Sequence, residues 1–453
     1  MQLAFKAQGS PSEILRQLGF PIHKIPAFLA TLSDDRSRIQ AIAKTQTEPL
    51  TGYFAPGRLE VLGKHTDYAG GSSIVCAVDK GFRMYGYKTE DTVIYLHHLD
   101  EKKSLSINLS NWPQDPVGWS VYAFAVVRRL TSNFGKLSGG HLFFTSDLPH
   151  SAGMSSSSAF IISLLMVLSD LNQLQDHPLW VSQIKTKEDL ATYASCIENG
   201  TSFGSLRGEK GVGTKGGSQD HVAIVCSHSG HLNHFSYAPT RFQKAIPMPD
   251  QFQFVIAHSG VLAEKTGEAQ SLYNRAAGLA TALVEIWNKH EKSQFSHIGA
   301  LIQNPTFDLY TIWKHLLLKR GKPFSDIALM DRLDHFMVES TLVQEAMNTL
   351  EQDQLVAFGR LAFQSQHYAE RFLRNQIPET SFLVSSAKRL GALAASAFGA
   401  GFGGAVWAMV HTFDAPILLQ QWETAYAHTF PNRLAHSQFF PILPGPPLFE
   451  LPL

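Results

Sequence analysis

Residues 147–160 read DLPHSAGMSSSSAF and run straight into the nearly all-apolar IISLLMVLSDLNQL of residues 161–174. A loop of small residues that opens a helix presents unpaired N–H groups and the positive end of the helix dipole, an arrangement suited to a phosphate. One serine at such a place is an ordinary N-cap. A run of four, Ser155 to Ser158 behind Ala152 and Gly153, goes beyond capping, because its hydroxyls can bond phosphate oxygens or hold Mg²⁺. By its length the apolar stretch reads as a helix and not a strand.

Working outward, GWSVYAFAVVRRL upstream also reads as a helix, while SSIVCAVDKGFRMYGYK and DTVIYLHHL read as strands bounded by Gly and Asp turn signals. A second mixed region begins near FQFVIAHSG and ends at the Pro-rich ILPGPPLFELPL. Strands and helices interspersed without a repeat predict an α+β chain of two lobes. The expected division is a helical leader over residues 1–50, an N-terminal lobe over 51–245 and a C-terminal lobe over 246–453. The leader, with short helices around SPSEILRQLGF and IPAFLATLSDDRSRIQAIAK, carries packing and no identifiable chemistry.

The 453 residues suffice for two or three domains at roughly 150 residues each. Apolar residues at 44%, charged residues at 17%, and 38 basic against 38 acidic side chains exclude a disordered chain or a polyelectrolyte. Zero net charge gives no reason to expect nucleic acid or an anionic membrane as partner. Cys76, Cys196 and Cys226 are too few and scattered for a disulfide framework or zinc cluster. MQLAFKAQGSPSE lacks the serial regions of a signal peptide, and Ala159 to Leu168 falls short of the ~20 residues that span a bilayer. A soluble, cytoplasmic protein is expected.

Two further stretches compete with the plain role of glycine in turns. APGRLEVLGKHTDYAGG, residues 55–71, packs Arg58, Glu60, Lys64, His65 and Asp67 into ten positions; it is a reactive cluster or a solvated charged turn. GAGFGGAVWAMV, from Gly399, satisfies G-x-G-x-x-G, but a strand-like run follows it where a dinucleotide site needs a helix. GEKGVGTK, from Gly208, reverses the Lys-Thr order of a P-loop and reads as a glycine-rich loop. Two carboxylates stand apart. In DLATYASCIEN, Glu198 falls at a helix C-terminus, where its charge opposes the dipole, so it is a metal ligand or a tolerated surface residue. In GGSQDHVAIVCS, Asp220 opens an apolar run read as a strand, as an edge residue or as a carboxylate aimed into a cleft.

Taken together these stretches resemble the GHMP small-molecule kinases and, within that family, its galactokinase branch. Gly57, Arg58, Gly63, His65, Thr66, Asp67 and Tyr68 fall at the matching places of the galactokinase signature. PHSAGMSSSSA is similar to the family's phosphate loop, IENGTSFG and GGSQDH to its metal-glutamate and catalytic-aspartate segments, GAGFGG to its third motif, SLYNRAA to a sugar-site element and FFPILPG to its usual C-terminal strand. The resemblance implies a two-lobed GHMP fold, with the active site in the cleft between a mixed α/β lobe and a ferredoxin-like lobe.

It also implies an ATP-dependent, Mg²⁺-requiring sugar 1-kinase that works as a monomer. Asp220 would be the base and Arg58 its partner. Lys64, His65, Asp67, Gly217 and Tyr273 would line the sugar. Ala152, Gly153, Met154 and Ser155, Ser156, Ser157 and Ser158 would hold ATP, with Ser156 and Glu198 on the metal. Two positions depart from the pattern: Glu60 stands where Asn is usual, and Lys64 where a sugar-contacting Glu is usual. Lys64 therefore faces a substrate carboxylate, as in a uronic acid, or pairs with Glu60. Two alternatives remain: a non-catalytic sugar and ATP sensor, which the complete serine run and Asp220 oppose, and a kinase for a non-sugar alcohol such as mevalonate or homoserine, which the HTDY cluster opposes.

Overall fold

A computed structural model describes residues 9–43, 48–112, 116–149, 153–262, 270–318 and 324–453. The β-rich texture after residue 50 becomes strands β1 (Thr51–Leu62), β2 (Ser72–Lys88), β3 (Val93–His98), β4 (Lys103–Asn108), β5 (Gly140–Ser146), β6 (His231–Ser236) and β7 (Arg241–Pro247). The second region supplies β8 (Phe252–His258), β9 (Ala394–Ala397), β10 (Ala405–His411), β11 (Gln438–Ile442) and a short β12 (Phe449–Glu450). The larger sheet runs β12-β1-β2-β5-β3-β4, with β6 paired to β2 and carrying β7. The smaller runs β11-β8-β10-β9, all antiparallel. Helices join β8 to β9 and β10 to β11, which gives the expected ferredoxin-like lobe.

Side chains of the larger sheet alternate between two apolar layers. Tyr53, Met84, Leu142 and Phe144 face a core made with the helices Ser120–Phe134, Ser156–Leu171, Lys187–Asn199 and Gln219–Cys226. Phe54, Tyr85 and Phe143 face the other way, onto Leu15, Phe20 and Phe28 of the N-terminal segment. That segment is thus a cover on the sheet. Its first helix, Pro11–Gln17, starts at a Ser10/Glu13 capping box with Pro11 in the first turn. Asp35, buried in the next helix, Ile25–Ile42, accepts hydrogen bonds from Arg83 Nε (2.6 Å) and Tyr85 Oη (2.8 Å) on β2.

Two expectations change. The C-terminal lobe does not extend to residue 453, because the chain returns to the first lobe after β11. Gly445 N donates to the Ala77 carbonyl (2.9 Å) and Leu448 N to that of Ile224 (2.8 Å), and β12 pairs with β1, covering an edge that would otherwise be open. A two-residue strand among prolines carries no strand pattern that sequence could reveal. The run QDHVAIVC is a helix and not a strand; it is buried on nearly every side, and a short apolar run has no periodicity to separate the two. Among the described residues no helix is long and apolar enough to cross a membrane.

Replacing Asp35 by Ala leaves the Arg83 guanidinium buried without its carboxylate. The variant is expected to lose about 3 to 5 kcal/mol of unfolding free energy, and urea titration of wild type and variant measures it.

Candidate active site

Strand β1 is irregular on both sides of its charged residues, with register shifts between Pro56 and Arg58 and between Glu60 and Leu62. Such irregularities re-aim side chains. Arg58 and Glu60, two residues apart, share one face, and they are 2% and 4% exposed, which rules out a solvated turn. Arg58 donates through Nε and Nη2 to Asp220 Oδ1, both at 2.8 Å, and through Nη1 to the Gly153 carbonyl, while its backbone N–H reaches the Met154 carbonyl at 3.2 Å. Burial works against its charge, but Asp220 and Glu60 more than restore it. One guanidinium therefore ties strand, serine loop and the helix of Asp220 together. Asp220 sits in the first turn of that helix, where a negative charge is favoured.

Around this pair a cavity is lined by Arg58, Glu60, His65, Asp67, Glu198, Gly217, Asp220 and Tyr273. Asp67 Oδ2 accepts from Gln219 N at 3.1 Å. Position 217 requires glycine, since a Cβ there would lie 2.3 Å from Asp67 Oδ2 and 2.7 Å from Tyr68 N. His65 holds a left-handed backbone (φ 55°), with Nδ1 2.8 Å from Tyr68 Oη, Nε2 3.2 Å from the Ala400 carbonyl, and its own carbonyl bonded by Arg332 Nη2 at 2.6 Å. The Tyr273 ring lies 5.6 Å from the imidazole. Burial raises the Tyr68 phenol to about 12, so it remains protonated.

The serine loop closes the other end. Gly153 and Ser155 are left-handed (φ 75° and 61°), and Ser156 begins the long helix. A Cβ on Gly399 would stand 3.1 Å from the Gly153 carbonyl, so the third glycine motif packs against the first turn of this loop, and strand β10 follows it as its sequence suggested. Met154 contributes backbone only; its side chain is buried in the cluster of Leu59, Leu148 and Phe398. Ser156 and Ser157 are half-buried at the helix start. Ala152 lies outside the described residues.

Glu198 is buried at a helix end capped by left-handed Gly200, and its Oε2 accepts from Ser158 Oγ at 2.9 Å. His221 Nε2 stands 3.1 Å from the same oxygen, both side chains 3% exposed, without hydrogen-bond alignment. Ser158, two residues beyond Ser156, is thus the serine that bonds Glu198 directly. Among the described residues no group of three His, Cys, Asp or Glu forms a metal cage. The donor set nevertheless fits Mg²⁺, which uses one or two carboxylates and completes its shell on phosphate oxygens and water. Ser155 Oγ, buried and without a hydrogen-bond partner among the described residues, is a further hard donor in the same loop.

Lys64 is the clear correction. It does not line the cavity; its Nζ donates to Ser365 Oγ (2.8 Å) and Ser396 Oγ (2.7 Å), and its backbone N–H to Glu339 Oε1 (3.1 Å), which Ser365 also bonds. The ammonium neither faces a substrate nor bonds Glu60. Sequence reading missed Asn199, Thr214 and His221 in the cavity wall. Asn199 brackets Gly216 through N (3.0 Å) and carbonyl (2.8 Å), pinning the glycine-rich loop; its place beside Glu198 was the available signal.

Three family models match in chain order. The galactokinase galactose-binding signature covers residues 42–87, the GHMP kinases N terminal domain 121–228, and the GHMP kinases C terminal domain 346–428. The chain belongs to the GHMP kinase family. Within that family it is galactokinase-like. It is 24% identical over 400 residues to a galactokinase of Exiguobacterium sibiricum, covering 86% of this chain and 90% of the relative. To a galactokinase of Pyrococcus furiosus it is 25% identical over 358 residues, covering 79% and 88%. The fold matches the crystal structure of Lactococcus lactis galactokinase complexed with galactose, with a TM-score of 0.73 and 19% identity over 93% of this chain and 99% of that one. A mevalonate kinase matches more loosely, at TM-score 0.51 and 16% identity, covering 87% and 98%.

Two outcomes follow from the geometry. Gly217→Ala is expected to displace Asp67 and raise the sugar KM at least tenfold while unfolding little changed in urea, as steady-state kinetics will read. Burial, partly offset by Arg58 and Lys64, raises the Glu60 carboxyl from 4.5 to about 7. Between those values the folded chain holds a proton that the unfolded chain has released. This group therefore lowers stability as pH rises from 4.5 towards 7. At roughly 1.36 kcal/mol per pH unit, Glu60→Gln should gain about 3 kcal/mol on the wild type between about pH 4.5 and pH 8, measured by urea unfolding at both.

Proposed function

We propose that this chain is an ATP-dependent sugar kinase that transfers a phosphoryl group to the anomeric hydroxyl of galactose or a closely related monosaccharide. The observation that carries the reading is the buried Arg58–Asp220 pair, set where the serine loop and the third glycine motif meet. Phosphoryl transfer asks the protein for positioning and charge neutralisation more than for covalent chemistry. Asp220 lines the cavity and takes the proton of the attacking hydroxyl as that oxygen bonds the γ-phosphorus and the bond from this phosphorus to the bridging oxygen breaks, with ADP leaving. Arg58 holds that carboxylate in place through Nε and Nη2, and its charge offsets negative charge developing on the transferring group.

The left-handed serine loop and the N-terminus of the helix Ser156–Leu171 cradle the phosphates through backbone N–H groups. Glu198 with the serine hydroxyls would hold Mg²⁺, which neutralises phosphate charge when bound. His65, Asp67, Gly217 and Tyr273 orient the sugar from the opposite wall, so that its hydroxyl meets Asp220 in one geometry. With the Lys64 ammonium held by Ser365 and Ser396, a uronic acid has no cation of that residue to meet. The three cysteines are free thiols, in keeping with a reducing, ATP-rich cytoplasm as the place of action, and a monomer is the working state we infer, to be checked by light scattering.

Asp220→Asn should keep ATP affinity and lose about 10²- to 10⁴-fold in kcat, the usual worth of a general base. Coupled ADP release with a panel of hexoses, pentoses and amino sugars measures both enzyme forms. Turnover of the variant near the wild-type rate removes Asp220 as base, and silence of the wild type on every sugar removes the kinase reading.

A further inference from the structure

The mechanism above leaves one cavity-wall carboxyl without a task. Glu60 follows Arg58 by two residues on the same face of β1, lines the cavity, and is 4% exposed. Its Oε2 accepts a hydrogen bond from Gln219 Nε2, and Gln219 is itself fixed through its backbone N–H on Asp67. Its Oε1 is buried and has no hydrogen-bond partner among the described residues. The two cations nearest Glu60 do not supply one. Arg58 spends its guanidinium on Asp220 and the Gly153 carbonyl, and Lys64 spends its ammonium on two serines.

A buried acceptor left unbonded is costly, about 1 to 3 kcal/mol and more for a charged group. It is tolerated where a ligand supplies the missing donor, because a site so built rejects any analogue that lacks it. Gln219 already occupies the other oxygen and Glu60 lines the cavity, so a ligand bound there is the donor available to Oε1. The surrounding charge limits what that ligand is. Carboxylates of Asp67, Glu198 and Asp220 line the same cavity with Glu60, against Arg58 as its lining arginine. Such a wall favours hydroxyl donors and repels a substrate carboxylate.

Resting on the sugar-kinase reading, we propose that Glu60 is a specificity-determining residue whose Oε1 hydrogen-bonds one hydroxyl of the sugar, selecting a neutral sugar that carries this hydroxyl and excluding sugar acids. The pinned carboxyl makes this selection at one ring position, because Gln219 fixes the direction in which Oε1 is presented.

The experiment measures kcat/KM for galactose, its 2-, 3-, 4- and 6-deoxy analogues and galacturonate, in the wild type, Glu60→Leu and Glu60→Gln. At pH 8, above the value of about 7 to which burial raises the Glu60 carboxyl, the wild type is expected to discriminate against one deoxy sugar by about 10- to 100-fold, the worth of a hydrogen bond to a charged group, and to turn over galacturonate least. In Glu60→Leu that one discrimination falls to within about threefold, while the order of the other deoxy sugars stays. Should the leucine variant not fold, Glu60→Gln serves alone: losing the charge while keeping an acceptor, it should raise galacturonate relative to galactose at least tenfold. Unchanged ratios in an active variant overturn the assignment of Glu60 and leave the kinase reading standing. A wild type silent on every sugar overturns both.

Discussion

Everything in this active site depends on a guanidinium placed where water cannot reach it. Isolated, a buried arginine is unaffordable, and its charge survives only with partners that fix where each hydrogen points. Arg58 has such partners in the Asp220 carboxylate and the carbonyl of Gly153, and its backbone holds that of Met154. These partners belong to a helix start and a glycine loop far apart in sequence. The pair therefore works as a distance constraint between the serine loop and the helix of Asp220. The irregular stretches flanking Arg58 on β1 are the local cost of turning it inward.

A second buried network does the same for the sugar wall. His65 sits in a backbone conformation that non-glycine residues avoid, at a cost of order 1 kcal/mol or more. It stays there because Arg332 bonds its carbonyl and Glu339 accepts from the N–H groups of Gly63 and Lys64 just before it. Lys64 completes this network: its ammonium, through Ser365, answers the charge of Glu339. The signature segment is thus clamped by Arg332 and Glu339 of the long helix Asp326–Glu351, which belongs to the second region of the chain. The cleft is shaped by both regions, and its sugar side is set by residues that never touch it.

How far the sequence revealed this differs by element. Long, strongly patterned segments were legible: the serine loop with its apolar helix, the β2 run and the glycine motif before β10 all stand where their patterns placed them. The candidate residues were legible as neighbours, since Arg58, Asp67, Glu198, Gly217, Asp220 and Tyr273 line one cavity. What could not be read depends on partners distant in the chain. Lys64 looked like a pocket residue because nothing local announces Ser365 and Ser396, and β12 lacks any pattern because its register comes from β1. The helix of Asp220 reads as a strand in sequence because burial on nearly every side erases the polar face by which a helix is recognised.

Glu60 shows how stability and function divide in such a site. Its neighbours on β1 are apolar and fully buried, Leu59 and Val61 among them, so an apolar side chain at this position would pack without electrostatic cost. The carboxyl instead works against folding at neutral pH, since burial holds its proton on up to about 7. Arg58 and Lys64 soften that cost through space, yet neither bonds the free oxygen. A residue that opposes the fold and is pinned on one side by Gln219 is best explained by what reaches it from the cleft. On the reading proposed above, Arg58 and Glu60 form one device on one strand face: the first sets Asp220 against the serine loop, and the second presents an acceptor to the sugar ring.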